Sequence, residues 1–463
     1  MLKAALFAVV AMLAGCASMA PEFHVPALPV PETYPLYAPA GSGRRAPDMA
    51  WRAYFADPRL QQLIGMALQN NRDLRLAALR VQEARATYGI QRAERLPAID
   101  VGGDGSRSRV PASLSVTGRP LVSGRYQVAL GANAWEIDFW GRLQSLQDAA
   151  LQSFLASDAA RRAVELLLVA QVADGYLTLR ELDGRLVLAR RSIASREASL
   201  RIFTRRVEIG ATSRFDLMQV QTLSTQARAL GAQLEQQRSV QAHALGALVG
   251  SETDDFAPAD APLDDAAVLQ APATGLPSEL LLERPDIVAA EHRLRAANAS
   301  IGAARAAFFP RIALTSSIGV ASAQLDGLFE GASRAWTFSP SITLPIFDAG
   351  TRRNALDLAE VRRNMAVADY EKTVQAAFRD VADALSSRVW LEEQVRIGME
   401  TLDAQTERAR LAKLRYDHGA AAFLEVLDAQ RDLLAAEQLL VTTRRMLLSA
   451  RVALYAALGG GLF

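Results

Sequence analysis

The chain is written twice, and no other feature constrains its fold as much. A shift of 213 lays residues 73–99 on residues 286–312 with ten of 27 positions identical, Gly89 on Gly302 and Pro97 on Pro310 among them. Farther on, a shift of 209 lays Gly141 on Gly350, Asp174 on Asp383, Gly210 on Gly419 and Gln221 on Gln430. An offset held over so long a stretch marks two copies of one structural unit. The copies occupy residues 59–250 and 280–463. A linker over 251–279, with Asp254, Asp255, Asp264 and Asp265, joins them.

Each copy has the same predicted order. A helix of about 35 residues ends before Pro97 or Pro310, where proline cannot continue it. Two short strands follow, then a very long helix, a break at Gly210 or Gly419, and a last helix. The long helices, over 141–207 and 350–416, are each about 100 Å long at 1.5 Å per residue. Their second halves carry a 3-4 seam: Leu179, Leu182, Leu186, Ala189, Ile193, Arg196, Leu200, Phe203 and Val207. The second copy continues it as Leu391, Val395, Gly398, Leu402, Gln405, Ala409, Ala412 and Tyr416. That period is the one of coiled-coil packing.

The predicted strands have the opposite period. Trp336, Phe338, Pro340, Ile342, Leu344 and Ile346 alternate with polar or small residues, as do Ile312, Leu314, Ile318 and Val320. Tyr126, Val128, Leu130 and Ala132 form a third alternating run, and residues 99–105 a weaker fourth. Such segments suit an outer-membrane barrel, with Trp135, Trp140 and Trp336 near strand ends as an aromatic girdle. Residues 106–123 and 322–334 then read as the two outward loops. Four strands cannot close a barrel, so the chain must oligomerise to hide its strand edges. Two copies would give eight strands and little lumen; three give twelve and an open pore.

The N-terminus supplies an address. Lys3 precedes an apolar stretch over 4–14, the pattern of a signal peptide over residues 1–15. Leu-Ala-Gly-Cys at 13–16 then matches a bacterial lipobox, with Cys16, the only cysteine, as the site of lipid attachment. Ala17 follows, with no aspartate to retain a lipoprotein at the inner membrane. Acylation, palmitate included, would anchor the chain. Seven prolines over residues 17–50 make the 16–58 region an extended strap. Beyond the signal no apolar run is long enough for a transmembrane helix.

Composition excludes other classes. Lys+Arg 51 against Asp+Glu 50 leaves a net charge of +1, too neutral for a nucleic-acid binder. One cysteine and four dispersed histidines offer no metal site. No nucleophile elbow or phosphate loop is present. The chain reads as no enzyme, without cofactor, and energy for transport must come from a partner.

The residues also resemble a known family. WEIDFWGRL (135–143), LLLERPDIVAAEHRLRAANASIGAARAAFFPRIALT (280–315), PIFDAGTRR (345–353) and RYDHGAAAFLEVLDAQR (415–431) are similar to the outer-membrane factors. These are the TolC-like channels of tripartite efflux pumps, and the match is to their NodT-type lipoprotein branch. Glu283 stands where the family commonly has a second arginine. The resemblance implies a mainly α fold with a transmembrane β part. It would be a homotrimer, with a twelve-stranded barrel (four strands per chain) on a long α-helical periplasmic barrel. The linker and chain ends would form an equatorial collar. Its partners would be a periplasmic adaptor (membrane fusion) protein, an inner-membrane pump of the RND class and outer-membrane lipid. An alternative is the exit duct of a type I protein-secretion system; a lipid-anchored coiled coil without a pore is a third reading.

Two sites follow. The breaks at Gly210, Ala211, Gly419 and Ala420 are farthest from the strands along the chain, and are expected to be periplasmic tips that dock the adaptor. The 209 shift puts Tyr416, Asp428 and Arg431 on Val207, Gln219 and Thr222, so only the second tip has a tyrosine and an ion pair. Asp428 and Arg431 share a helix face. The resemblance implies that these three form a periplasmic gate.

Overall fold

A computed structural model describes residues 19–27, 29–31, 45–250, 256, 268 and 284–461. Cys16, the signal peptide and most of the 251–279 linker lie outside the described residues. The elements in chain order are α1 (Pro58–Asn70), α2 (Arg72–Ala93), β1 (Asp100–Val110), β2 (Leu121–Ile137), α3 (Arg142–Glu208) and α4 (Arg214–Val249). The second copy supplies α5 (Pro285–Ala306), β3 (Arg311–Ser322), β4 (Arg334–Thr343), α6 (Thr351–Asp417) and α7 (Phe423–Ala457). The duplication is visible to the residue. α2 and α5 are both 22 residues long and start 213 apart, and α3 and α6 are both 67 residues long and start 209 apart.

The first helix of the first copy departs from expectation. It is broken at Asn71, whose Oδ1 accepts from the Asp73 and Leu74 N–H groups at 2.9 and 3.0 Å. Its Nδ2 donates to the Leu248 carbonyl at 3.0 Å, so the buried amide caps one helix and ties another. Asn71 thereby ends α1 without proline or glycine.

The described residues form two compact units, and each draws on both copies. The first contains the sheet, residues 19–27 of the strap, and the adjoining parts of α2, α3, α5 and α6. Its strands pair antiparallel in the order β1-β2-β3-β4. Register aligns Val101, Leu130, Ile318 and Trp336 in one row, and Ile137, Ile312 and Ile342 in another. Rows of the opposite face hold Asp104, Gln127 and Ala321, or Gly131, Ser317 and Thr337. One face is therefore apolar and the other small or polar. The strands run farther than the alternation shows, to Val110 and from Leu121. Only residues 111–120 and 323–333 connect them, shorter than the loops expected over 106–123 and 322–334. Strand β4 also stops at Thr343, short of Leu344 and Ile346.

The strap is seated in this unit along one face of α5. Pro21's carbonyl accepts from Asn298 Nδ2 at 2.8 Å, and Arg295 lies over the Phe23 ring at 5.1 Å. A Cβ at Gly302 would sit 2.7 Å from the Ala20 nitrogen, so the strap needs glycine there.

The second unit holds the coiled-coil parts of α3, α4, α6 and α7, together with the chain ends. Tyr54 stacks on Tyr455 at 4.2 Å, Tyr455 Oη donates to the Met49 carbonyl at 2.8 Å, and Ala50 bridges Gly461. The two described linker residues join the same unit: Val268 bridges Phe55, and the Phe256 carbonyl accepts from Arg238. Arg284, of the LLLERPD run, donates to Asp286 at 2.6 Å and to the Ala457 carbonyl at 3.1 Å. It fastens the start of α5 to the end of α7.

Candidate functional site

The two helix breaks share a backbone and differ in side chains. Gly210 and Gly419 are left-handed, at φ 73° and 71°. Their N–H groups donate to the carbonyls of Val207 and Tyr416, at 3.0 and 2.9 Å. The next N–H groups, of Ala211 and Ala420, donate to Arg206 and Arg415, at 2.7 and 2.8 Å. This double closure needs positive φ at its centre, which glycine adopts without a Cβ penalty. A Cβ on either glycine would meet nothing within 4 Å, so the surroundings of both turns are open.

Past the first turn, α4 begins with a full capping box. Ser213 Oγ accepts from the Asp216 N–H at 3.1 Å, and Asp216 Oδ2 accepts from the Ser213 N–H at 3.3 Å. The hydroxyls of Ser213 and Thr212 hold the Asp216 carboxyl below the usual carboxylate range. Helix α7 begins after Ala422, with no side-chain cap. Glu425, the counterpart of Asp216, is ion-paired with Arg415 instead.

The sequence-predicted gate residues divide between two contacts. Tyr416 Oη accepts from Arg206 Nη1 at 2.6 Å, and its ring lies 4.9 Å from Phe423. Asp428 and Arg431 do share a face, 3.3 Å apart. Arg431 also reaches Asp432 at 3.2 Å, and Asp432 meets Arg408 of α6 at 2.6 Å. Arg408, then Arg431, holds Asp432 below the usual carboxylate range. Sequence reasoning missed Arg206, Arg408 and Asp432. Arg206 could have been found, because the 209 shift pairs it with Arg415, the other basic residue just before a turn. Beneath these contacts Phe203, Val220 and Leu427 form a core with Phe423 packed against it.

The three tryptophans also separate. Trp336 is 77% exposed on the apolar face, in register with Ile318. Trp135, near the end of β2, is partly buried and donates to the Arg95 carbonyl at 3.2 Å. Trp140 lies past β2, stacks on Phe309 at 4.7 Å and donates to the Pro310 carbonyl at 2.9 Å. Beside it, Glu136 accepts from Arg142 and Arg311 at 2.8 and 2.7 Å. Trp140 is therefore part of a joint between strand and helix.

No helix among the described residues is long and apolar enough to cross a membrane, and no cluster of metal ligands occurs among them. A contiguous apolar sheet face exposed to solvent is not what a water-soluble monomer presents. A sheet with that face, joined in a duplicated frame to two long helical hairpins, defines an outer-membrane channel of the TolC-like fold. The chain belongs to the outer membrane efflux protein family, which it matches twice, over residues 63–251 and 276–460.

Relatives agree over nearly the whole length. The chain is 44% identical to outer membrane protein OprJ of Pseudomonas aeruginosa, over 98% of this chain and 94% of that one. It is 43% identical to the toluene efflux pump outer membrane protein TtgF of Pseudomonas putida, covering 97% and 95%. Among solved structures, the open state of the Neisseria gonorrhoeae MtrE outer membrane channel superposes with a TM-score of 0.86, at 39% identity, covering 96% and 99%. The protein is thus an efflux channel of the outer membrane, and not an enzyme.

Proposed function

We propose that three copies of this chain close a twelve-stranded barrel and that the trimer is the exit duct of a tripartite pump. It conducts passively what an inner-membrane transporter of the RND class delivers through a periplasmic adaptor. The observation that carries this reading is the four-stranded sheet with one apolar face, whose outer strands β1 and β4 each have an edge unpaired among the described residues. Such edges must be covered within a bilayer. Cys16 is the proposed acyl site, and the mass of the N-terminal peptide tests it: an unmodified cysteine in mature protein would remove the anchor. Trp135, Trp140 and Trp336 are the proposed girdle.

The open surroundings of Gly210, Ala211, Gly419 and Ala420 suit adaptor docking, and Tyr416, Asp428 and Arg431 are the gate. In a trimer each occurs three times, and the uncapped start of α7 makes the second tip the one that moves. Docking would shift the population between two packings of the same helices. Asp428→Ala combined with Arg431→Ala is expected to raise single-channel conductance in a planar bilayer without adaptor. An unchanged conductance in a correctly assembled double variant would refute the gate.

A further inference from the structure

Arginines at the two ends of the sheet have different surroundings. At the helix end, Arg142 and Arg311 both reach Glu136, at 2.8 and 2.7 Å. At the loop end, Arg107 and Arg109 of β1 and Arg334 of β4 are exposed and have no acid partner among the described residues. Of the acids at that end, Asp104 is on the polar face, while Asp326 and Glu330 belong to the 323–333 connection and pair with no arginine there.

Register puts all three arginines on the apolar face. Arg107 is opposite Gly124 and Arg109 opposite Val122, in the alternation that sets Val101 opposite Leu130. Arg334 is opposite Val320, in the alternation that sets Trp336 opposite Ile318. Followed along β2 from Ile137, the apolar rows end at Val128, about 27 Å of strand farther on. A tilt of about 40° reduces that to roughly 20 Å of membrane thickness. Tyr126 comes next, at the level where aromatic residues border a bilayer. Its ring lies over two glycines, since a Cβ at Gly105 or Gly124 would stand 3.2 or 3.3 Å from it. Arg107 and Arg109 follow, at the level of lipid head groups. Arg334 starts at the edge of the apolar band, and its long side chain reaches toward the same zone.

Like charges two residues apart on one strand face repel each other unless an anion lies between them. No carboxylate of the chain fills that place. An arginine fork binds a phosphate through two parallel N–H···O bonds, and the acyl chains of a phosphorylated lipid would lie on the apolar rows below. In the proposed barrel the loop end faces out of the cell, so the anion met there is the phosphate of an outer-leaflet lipid. Ring closure also sets β4 of one protomer beside β1 of the next. Each joint then carries Arg107 and Arg109 from one chain and Arg334 from its neighbour.

We propose that Arg107 and Arg109, with Arg334 of the neighbouring protomer, form a phosphate-binding site for a glycolipid of the outer leaflet, one site per joint. The bound lipid fixes the height of the barrel in the bilayer. The proposal rests on the reading of the sheet as part of a membrane-spanning ring, but it can fail while that reading stands.

The test uses full-length trimers in detergent, with diphosphoryl lipid A as the probe and native mass spectrometry to count the lipid held. Combined Arg107→Gln, Arg109→Gln and Arg334→Gln should weaken binding about a hundredfold, and Arg109→Gln alone about fivefold. Lysine at the three positions should keep most of the binding, because the charge remains. Arg125 is at the same level on the polar face, where it donates to Gln127 at 3.0 Å, so Arg125→Gln should bind like wild type. Lipid A stripped of phosphate should bind wild type no better than intact lipid A binds the triple glutamine variant. An excess of inorganic phosphate should displace little lipid, because it lacks the acyl chains.

Equal binding by wild type and the triple glutamine variant would overturn the proposal, as would an equal loss from Arg125→Gln. Complete displacement by inorganic phosphate would overturn it in favour of a general anion site. If the triple variant does not assemble, Arg109→Gln decides, and unchanged binding there would overturn the proposal too. Conducting trimers that hold no lipid A would remove this proposal alone. Chains that hold the lipid through Arg107 and Arg109 yet never form trimers would remove the twelve-stranded ring and leave those two arginines as the site.

Discussion

Glu181 is a carboxylate with 5% of its side chain exposed, and it takes three donors. Arg185 approaches at 3.1 Å from its own helix, and Thr442 and Arg445 at 2.8 Å each from α7. The acid therefore joins a first-copy helix to a second-copy helix. Removing one member of a buried charged network leaves the others desolvated, at a cost of about 3–5 kcal/mol. Glu181→Gln keeps the shape and loses the charge, so a large drop in the unfolding temperature of detergent-solubilised protein is expected. The exposed pair Glu393–Arg396 is the control: it is 2.6 Å apart, but water screens it, and Glu393→Gln should not move the melt. Equal effects from the two substitutions would show that burial is not what gives Glu181 its weight.

At the scale of elements, the tips show how a duplicated frame acquires two roles. Helix α4 starts with Ser213 and Asp216 in a capping box, while α7 starts with Ala422 and Glu425. Ala422→Ser would complete the box with Glu425 and stabilise the start of α7 by about 1 kcal/mol. Slower amide exchange at Leu424 and Glu425 would show it, together with fewer channel openings; unchanged exchange would mean that Glu425 stays with Arg415. The natural box has a pH window of its own. The Asp216 pKa is depressed, so its contribution is complete above the ordinary carboxylate range and is lost as pH falls through the lower folded value.

The helix pairs were legible in the sequence because heptads and glycines repeat at one offset. The break at Asn71 was not, since an asparagine cap inside a helical pattern looks like any polar position. The strand ends at 106–110 were missed because Ser and Arg there resemble a loop, and only pairing with 121–125 makes them strand. The pair Asp428–Arg431 was legible as an i,i+3 spacing. The Arg206–Tyr416 contact was only half legible, because the 209 shift marks Arg206 through Arg415 but does not show that its side chain reaches Tyr416.

For the whole molecule, the sheet sets the assembly. β1 and β4 are the outer strands, and three antiparallel pairings separate them. With four strands per protomer, β4 of one protomer would run antiparallel to β1 of the next in the proposed trimer, so the alternation would continue around the ring without a parallel joint. Closure then depends on number. Two copies leave a lumen filled by side chains, whereas three give a wider barrel.

The natural chain has one cysteine, proposed to be acylated, so introduced thiols report cleanly. Gly103→Cys on β1 can be combined in turn with Trp336→Cys, Phe338→Cys or Pro340→Cys on β4, all on the apolar face. One combination should be in register across the joint. Mild oxidation of that variant in membranes is expected to produce covalent dimers and trimers and nothing larger. Trimers should dominate at completion, because the third link closes the ring. A ladder continuing past three chains would mean an open sheet or a larger ring. Crosslinking that stops at two chains would mean an eight-stranded barrel too narrow for an efflux duct, and either result would reject the twelve-stranded channel.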